Sequence, residues 1–174
     1  MSGEARVLAV MGVSGVGKTT LAKALAERLG WPFKEGDELH PAANVAKMKA
    51  GHPLNDADRK PWLDAVGAWI DAWLAAGQSG VITCSALKRA YRDQLEFGRP
   101  QLTFVFIHLS EAETARRIEG REGHFMPPSL LASQFADLQP PDDDEPVAVV
   151  DGAEPIPAQV AAVVAFLGVV QPSV

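Results

Sequence analysis

A short stretch near the N-terminus, GVSGVGKT at residues 12–19, combines glycines, a lysine and a hydroxyl in a spacing suited to binding phosphate. It matches the pattern G-x-x-x-x-G-K-[ST] at every fixed position. The glycines let the backbone curl so that its N–H groups face phosphate oxygens, and a helix that begins there adds partial positive charge. Lys18 is placed to reach the β- and γ-phosphates, and the Thr19 hydroxyl is placed to ligate Mg²⁺.

This stretch predicts a nucleotide site, with ATP and Mg²⁺ as cofactors and Thr19 as a metal ligand. The loop alone would serve GTP equally well. The other interpretation, a glycine-rich turn with a chance lysine, is disfavoured because an apolar strand precedes the stretch and an amphipathic helix follows it. The predicted nucleotide-binding residues are Gly12, Val13, Ser14, Gly15, Val16, Gly17, Lys18, Thr19 and Thr20.

A second stretch, GDELHP at residues 36–41, places an acid where the next strand should end. In an open parallel sheet the carboxyl ends of the strands line one crevice, so Asp37 should face the phosphate loop. Phosphoryl transfer to an alcohol needs a group that orients the hydroxyl and accepts its proton, and Asp37 is the candidate base. Two other roles stay open for Asp37, namely holding a water bound to Mg²⁺ or capping a turn. His40 alone is more typical of a structural residue.

Strands and helices alternate along the chain. The strand patterns are continuous apolar runs, which indicates a parallel sheet covered by helices on both faces. We therefore predict an α/β fold with five parallel strands, in one domain. The predicted strands are 6–12, 31–37, 80–84, 102–109 and 146–152; the predicted helices are 17–30, 42–51, 56–77, 87–98, 110–121, 127–138 and 156–168. Asp56 or Asp58 should cap the third helix, with Pro61 in its first turn. The acidic segment 139–146 is expected to be a solvated loop.

Composition narrows the function classes. The chain has 174 residues, 47% of them hydrophobic, which favours a single globular domain. A net charge of −6 without a basic stripe argues against nucleic acid, and no apolar run reaches the ~18 residues of a membrane span. The single cysteine, Cys84, excludes an internal disulfide and suggests a reducing compartment, so we expect a cytoplasmic protein. Cys84 ends a buried strand and is interpreted as a core residue rather than a nucleophile.

Five segments occur together in a fixed order: MGVSGVGKTT, GDELHP, NVAKMKAGHPLNDADRKPWL, CSALKRAYRD and REGHF. In this combination the chain resembles the gluconate kinase (gluconokinase) family over residues 7–168. The resemblance implies a P-loop kinase fold related to shikimate and adenylate kinases, with a lid near residues 111–140. It implies ATP-dependent phosphorylation of the 6-hydroxyl of D-gluconate, and it suggests a homodimer.

The resemblance also assigns residues. Arg117 and Arg121 would act as catalytic lid arginines beside Lys18 and the base Asp37, and Gln134 would help to seal the lid. We expect at least one arginine to bind the gluconate carboxylate in bidentate fashion. For Arg59 and Arg92 the alternative is a surface charge paired with a nearby aspartate. The acceptor-binding residues implied are Asp37, His40, Lys47, Arg59, Ser85, Lys88, Arg92 and His124.

Two features depart from the family pattern. Gln139 stands where an acid is expected, and the third strand ends in Cys84 and Ser85 without an aspartate. We therefore expect Mg²⁺ to be held by Thr19, by the phosphates and by Asp37 through water. Two rival functions remain open: a kinase for another small acceptor, such as shikimate or a nucleotide, and a binding switch that hydrolyses ATP slowly.

Overall fold

The structure is a computed structural model, and it describes residues 4–120 and 128–170. Five strands in these residues form one sheet in which every neighbouring pair is parallel, in the order β2-β3-β1-β4-β5. This confirms the predicted fold class. The strands are β1 (Val7–Met11), β2 (Phe33–Lys34), β3 (Gly80–Thr83), β4 (Leu102–His108) and β5 (Ala148–Asp151).

The helices follow the predicted alternation with the strands. They are α1 (Lys18–Leu29), α2 (Ala42–Lys49), α3 (Asp56–Ala75), α4 (Arg89–Glu96), α5 (Glu111–Glu119), α6 (Pro128–Asp137) and α7 (Ile156–Val170). The second strand is shorter than predicted because the chain enters a 3-10 turn at Gly36–Leu39. Within the described part of the chain, none of these helices combines the length and the apolarity that crossing a membrane would require.

The core lies in two layers, one on each face of the sheet. Leu8 and Val10 of β1 pack with α1 and α7, whereas Val7, Ala9 and Met11 pack with α3 and α4. All five strand residues are fully buried, which explains why β1 appears in the sequence as a continuous apolar run. Close packing on both faces therefore holds the central strand in one register, and the position of Gly12, where the next loop begins, is well defined.

The long helix α3 corrects two details of the prediction. Its N-cap is Asn55, whose side chain accepts from the backbone N–H of Asp58 while the Asp58 carboxylate accepts from the N–H of Asn55. Pro61 lies beyond the first turn, inside the helix. Trp62 of this helix is buried, whereas Trp69 is 37% exposed and its ring lies under the Lys34 ammonium.

The acidic segment 139–146 is a loop, as predicted, but it is tied to α4. Arg89 at the start of α4 forms ion pairs with Asp142 and Asp144, and Arg92 one turn later pairs with Glu145. The Glu145 side chain is only 3% exposed. The prediction of a solvated loop is therefore wrong for Glu145, the last acid of the segment.

Candidate active site

The phosphate loop connects the end of β1 to the first residue of α1, as its motif predicts. Gly15 and Gly17 have φ values of 88° and 100°, a left-handed conformation that residues with a Cβ rarely adopt. The loop thereby presents its backbone to one cavity. Lys18 is the first residue of α1, and its Nζ donates to the carbonyls of Gly12 (2.9 Å) and Val13 (3.2 Å).

Lys18 lines a pocket of about 400 Å³, a size that suits a small-molecule ligand. Burial disfavours its charge and lowers the pKa of Lys18, while the nearby carboxylates of Asp37 and Glu35 oppose that shift. A buried ammonium balanced by acids is well suited to attract phosphate oxygens.

Glu35 is a site residue that sequence reasoning missed. It follows β2 directly, and its carboxylate accepts from the Thr19 hydroxyl (2.6 Å) and from the Thr83 hydroxyl (2.5 Å). The available signal was its position: an acid at the carboxyl end of a strand, beside the phosphate loop. Asp37, two residues later, is an acid within the GDELHP segment, whereas Glu35 lies just outside it.

Thr19 and Glu35 also bear on the predicted metal. A hydroxyl and a carboxylate are hard oxygen donors, the type that Mg²⁺ prefers, and few protein ligands suffice when phosphates supply the rest. Across residues 4–120 and 128–170, no group of three or more His, Cys, Asp or Glu side chains could hold a metal ion by itself. The donors present therefore fit Mg²⁺ delivered with a nucleotide.

The 3-10 turn that carries Asp37 is fixed from two sides. The N–H of Gly36 donates to the Thr83 hydroxyl (2.9 Å), and the indole N–H of Trp62 donates to the Gly36 carbonyl (2.9 Å). A Cβ at Gly36 would lie 1.8 Å from the Thr83 carbonyl oxygen, so only glycine fits there. The turn places Asp37 in the lining of the pocket that Lys18 also lines.

His40 also lines the pocket. Its ring stacks on Trp62 with the centroids 4.4 Å apart, and its Nδ1 lies 3.2 Å from the amide nitrogen of Asn44. Burial lowers the pKa of His40, so the imidazole is neutral at pH 7. A neutral ring held by stacking can exchange hydrogen bonds with substrate hydroxyls.

The remaining acceptor-side predictions divide into two groups. Arg59 and Ser85 line the pocket, and so does Lys49, a cation that the sequence analysis did not single out. Lys47 and Lys88 are not among the described residues that line it. Lys47 instead donates to Asp58 (2.6 Å) and Lys88 to Asp56 (2.9 Å). The structure thus offers no support for acceptor contacts by these two lysines.

Arg59 lies in the first turn of α3, and its side chain is 8% exposed. Its Nη1 donates to the Tyr91 hydroxyl (2.9 Å), and its Nη2 lies 3.0 Å from a carboxylate oxygen of Asp137. Burial opposes the charge, but the bonds to Tyr91 and Asp137 more than offset it, and the pKa of Arg59 is raised. Arg59 is a permanent cation at the pocket wall.

Arg92, predicted to bind the acceptor, is not among the described residues that line the pocket. Its side chain is fully buried, and its guanidinium binds the Glu145 carboxylate through Nε (2.8 Å) and Nη2 (3.0 Å). Its Nη1 donates to the Ala86 carbonyl (3.0 Å). Ala86 has a φ of 43° and directly follows the pocket residue Ser85. The structure thus offers no support for acceptor binding by Arg92, because its guanidinium is engaged by the Glu145 carboxylate and by the carbonyls of Ala86 and Leu87.

The region predicted as a lid contacts the phosphate loop through α6. The side chain of Gln134 accepts from the Ser14 N–H (2.7 Å) and donates to the Ser14 hydroxyl (3.1 Å). On α5, Arg117 donates to the Gly152 carbonyl (2.6 Å) in the loop after β5, and it does not line the pocket. The predicted residues Arg121 and His124 lie outside the described residues.

Two further residues have structural roles. Gln139, which stands where an acid was expected, accepts from the N–H of Arg89 and so caps α4. Cys84 is buried, and burial raises the pKa of its thiol to about 12. A thiol in that environment is not a nucleophile at neutral pH, which agrees with the interpretation of Cys84 as a core residue.

A family model described as an AAA domain matches residues 8–126. The gluconokinase of Gluconobacter oxydans (strain 621H) is 58% identical over 147 residues, which cover 84% of this chain and 83% of that protein. The thermoresistant gluconokinase of Escherichia coli (strain K12) is 42% identical over 159 residues, which cover 91% of each.

Solved structures agree with these relatives. A gluconokinase from Sinorhizobium meliloti 1021 matches with a TM-score of 0.86 and 46% identity, covering 95% of this chain and 93% of that one. A shikimate kinase from Aquifex aeolicus vf5 matches with a TM-score of 0.62 and 16% identity, covering 96% of this chain and 99% of that one. At that identity the second match shows a shared fold and nothing more.

Proposed function

This chain belongs to the gluconokinase family, and from that premise we propose how its residues phosphorylate gluconate with ATP. The reaction is transfer of the γ-phosphoryl group to the 6-hydroxyl of D-gluconate, giving 6-phospho-D-gluconate and ADP. One observation carries the residue assignment: Lys18 of the phosphate loop and Asp37 of the 3-10 turn line the same pocket. A phosphoryl donor and a hydroxyl acceptor can therefore meet between a cation and a base.

In the transfer step the gluconate O6 forms a bond to the γ-phosphorus, and the bond from that phosphorus to the β,γ-bridging oxygen breaks. Asp37 orients the 6-hydroxyl and takes its proton. Lys18 and the loop N–H groups stabilise the charge on the transferring group, and the electron pair of the broken bond leaves with ADP. Because the 3-10 turn is fixed by Thr83 and Trp62, Asp37 requires little rearrangement to act.

We assign the metal position to Thr19, with Glu35 beside it. Mg²⁺ bound with the nucleotide would neutralise charge on the β- and γ-phosphates. Thr19 would hold the ion through its hydroxyl, and Glu35, which accepts a hydrogen bond from that hydroxyl, would help to orient it. This assignment revises the sequence-based expectation, in which Asp37 was the carboxylate near the metal.

The acceptor end is recognised by Arg59, which we assign to the gluconate carboxylate because a guanidinium fork matches a carboxylate in geometry and charge. Ser85 and His40 supply hydrogen-bond partners along the polyol. Lys49 lies at the exposed rim and adds a second positive charge. Shikimate is also a hydroxylated carboxylate, so cations alone do not separate the two acceptors.

The segment 111–140 is proposed as a lid over the transferring phosphates. The contact of Arg117 with Gly152 and that of Gln134 with Ser14 would tie it to the nucleotide side. Exclusion of water under such a lid would suppress wasteful hydrolysis of ATP. Catalytic roles for Arg117 and Arg121, and acceptor binding by His124, remain predictions.

The test is an ADP-release assay with Mg²⁺ and ATP, comparing gluconate, shikimate, glucose and no acceptor. Stimulation by gluconate alone is expected. Stimulation by shikimate instead would keep the kinase chemistry and overturn the acceptor. ADP release that no acceptor stimulates would overturn the kinase reaction in favour of a slow binding switch.

A homodimer and a cytoplasmic location are further proposals. The resemblance of the family supports the first, and an apolar groove between α1 and α7, lined by residues such as Ala24, Val160 and Val164, is a surface on which a second copy could pack. The single reduced cysteine supports the second. Light scattering coupled to size-exclusion chromatography measures the oligomeric state directly.

A further inference from the structure

Arg59 is the one arginine among the described residues that line the pocket, and it already has an anionic partner within the protein. That partner is Asp137, the last residue of α6, at 3.0 Å. The pair is largely shielded from solvent, since the two side chains are 8% and 29% exposed. An ion pair of this kind is a specific contact rather than a chance approach of two surface chains.

A substrate carboxylate that binds Arg59 therefore meets Asp137. Two carboxylates on one guanidinium at a partly buried wall repel each other, because screening by water is reduced there. Nη1 of Arg59 already donates to the Tyr91 hydroxyl. If the guanidinium rotated to present Nη1 to the substrate carboxylate, that hydrogen bond would be lost. The arriving carboxylate has to take the place of the Asp137 carboxylate.

The position of Asp137 favours its displacement from Arg59. It lies at the C-terminal end of α6, where the helix dipole disfavours negative charge, and the last turn of α6 has no basic residue to balance it. The ion pair with Arg59 is the contact that ties Asp137 itself to α3. Helix α6 also binds the phosphate loop one turn earlier, through Gln134 and Ser14.

We propose that Asp137 is a specificity-determining residue that competes with the acceptor carboxylate for Arg59. Without acceptor, Asp137 holds Arg59 in place. An acceptor that carries a carboxylate displaces Asp137 from Arg59, and only such an acceptor frees the end of α6 from this ion pair. Displacing Asp137 costs free energy, which weakens acceptor binding, and the competition therefore raises the KM for the acceptor. This proposal rests on the proposed function, and specifically on Arg59 as the carboxylate site.

The experiment measures kcat and kcat/KM for gluconate in Asp137→Asn, in Arg59→Ala and in the double variant. Asp137→Asn keeps the shape and removes the charge, so kcat/KM should rise about 5-fold to 10-fold, a change of about 1 to 1.4 kcal/mol, with kcat within about twofold. In the Arg59→Ala background the same substitution should change nothing. Asp64→Asn, an acid in an exposed pair with Lys60, is the matched control and should leave both parameters unchanged.

Each other outcome is decisive. A fall in kcat/KM for Asp137→Asn would mean that Asp137 positions Arg59 for the acceptor, and no change would mean that Asp137 does not act on acceptor binding; either result would overturn the competition. A rise that persists without Arg59 would overturn it as well. Asp137→Ser, checked by thermal melting alongside Asp137→Asn, must give the same sign if the charge is the cause.

The proposed function fails separately. If gluconate does not stimulate ADP release from the wild-type protein, the acceptor assignment is wrong whatever Asp137 does. If gluconate stimulates release but Arg59→Ala leaves its KM unchanged, the kinase reaction stands, the carboxylate site is elsewhere, and the inference about Asp137 is overturned.

Discussion

The phosphate side and the acceptor side of the pocket are built in different ways. The phosphate side comes from one unbroken stretch, residues 12–20, and its groups are mostly backbone N–H donors on a loop between β1 and α1. The acceptor side draws Asp37, Arg59 and Ser85 from three distant segments. Each of these segments is held by buried hydrogen bonds to another element, such as the bond between Gly36 and Thr83.

This difference separates general chemistry from selectivity. A loop of backbone donors recognises any phosphate and depends on a few glycines and one lysine. Side chains brought together by packing recognise one acceptor and depend on residues outside the pocket, such as Thr83, which holds the turn that carries Asp37. Substitutions on the phosphate side should therefore act on the rate of transfer, whereas substitutions on the acceptor side should divide between rate, affinity and stability.

The largest effect is expected from Lys18→Ala. Removing the cation that stabilises the transferring group should lower kcat by about 10³-fold to 10⁵-fold, the range seen for cations that act on phosphoryl groups. Steady-state ADP release measures it, with Lys23→Ala, an exposed lysine on the same helix, as the control. Turnover near the wild-type level would contradict the assignment of the phosphate side.

On the acceptor side, Asp37→Asn should lower kcat by about 10²-fold to 10⁴-fold, because the amide cannot accept the proton of the hydroxyl. Binding of ATP, measured by calorimetry, should stay close to wild type. The neighbouring Glu38→Gln, at an exposed acid paired with Lys34, should leave kcat unchanged. If kcat survives in Asp37→Asn, the base lies elsewhere.

Arg92→Met tests whether packing supports the acceptor side. It leaves the Glu145 carboxylate buried without its partner, so unfolding free energy should fall by about 3–5 kcal/mol. Urea unfolding measures this, and Arg89→Met, which removes exposed ion pairs from the same helix, should lower stability far less. A stable Arg92→Met variant that binds gluconate more weakly would show instead that Arg92 binds the acceptor.

The smallest effect should come from Lys88→Met. Lys88 pairs with Asp56 and does not line the pocket, so the KM for gluconate should stay within about twofold of wild type. A tenfold rise in the KM for gluconate, measured in the same ADP-release assay, would show that Lys88 contacts the acceptor and belongs to the acceptor side.

The sequence predicted the fold, and it located the loop between β1 and α1, because both depend on local patterns. Continuous apolar runs gave the parallel strands, and one contiguous motif gave the loop. It could not tell Arg59 from Arg92, since both are arginines near an aspartate on a helix. Their partners, Asp137 and Glu145, are distant in the chain, and only the folded structure shows that Arg92 is fully buried while Arg59 meets the pocket.

Glu35 was missed for a related reason. Nothing in its neighbours marks it, and its importance comes from hydroxyls on two other elements, Thr19 and Thr83. The end of β2 was also placed too late in the chain, which made Asp37 look like the strand's last residue. The 3-10 turn at Gly36 depends on close approach to Thr83, a contact that no local pattern predicts.

The attachment of the acidic loop to α4 has a practical consequence for engineering this protein. By composition, residues 139–146 look like a natural place to insert a peptide tag or to open the chain for circular permutation. Glu145 is buried against Arg92, and the N–H of Asp142 donates to Glu145 as well. An insertion between these residues would separate that network and, through Ala86, disturb the turn that presents Ser85.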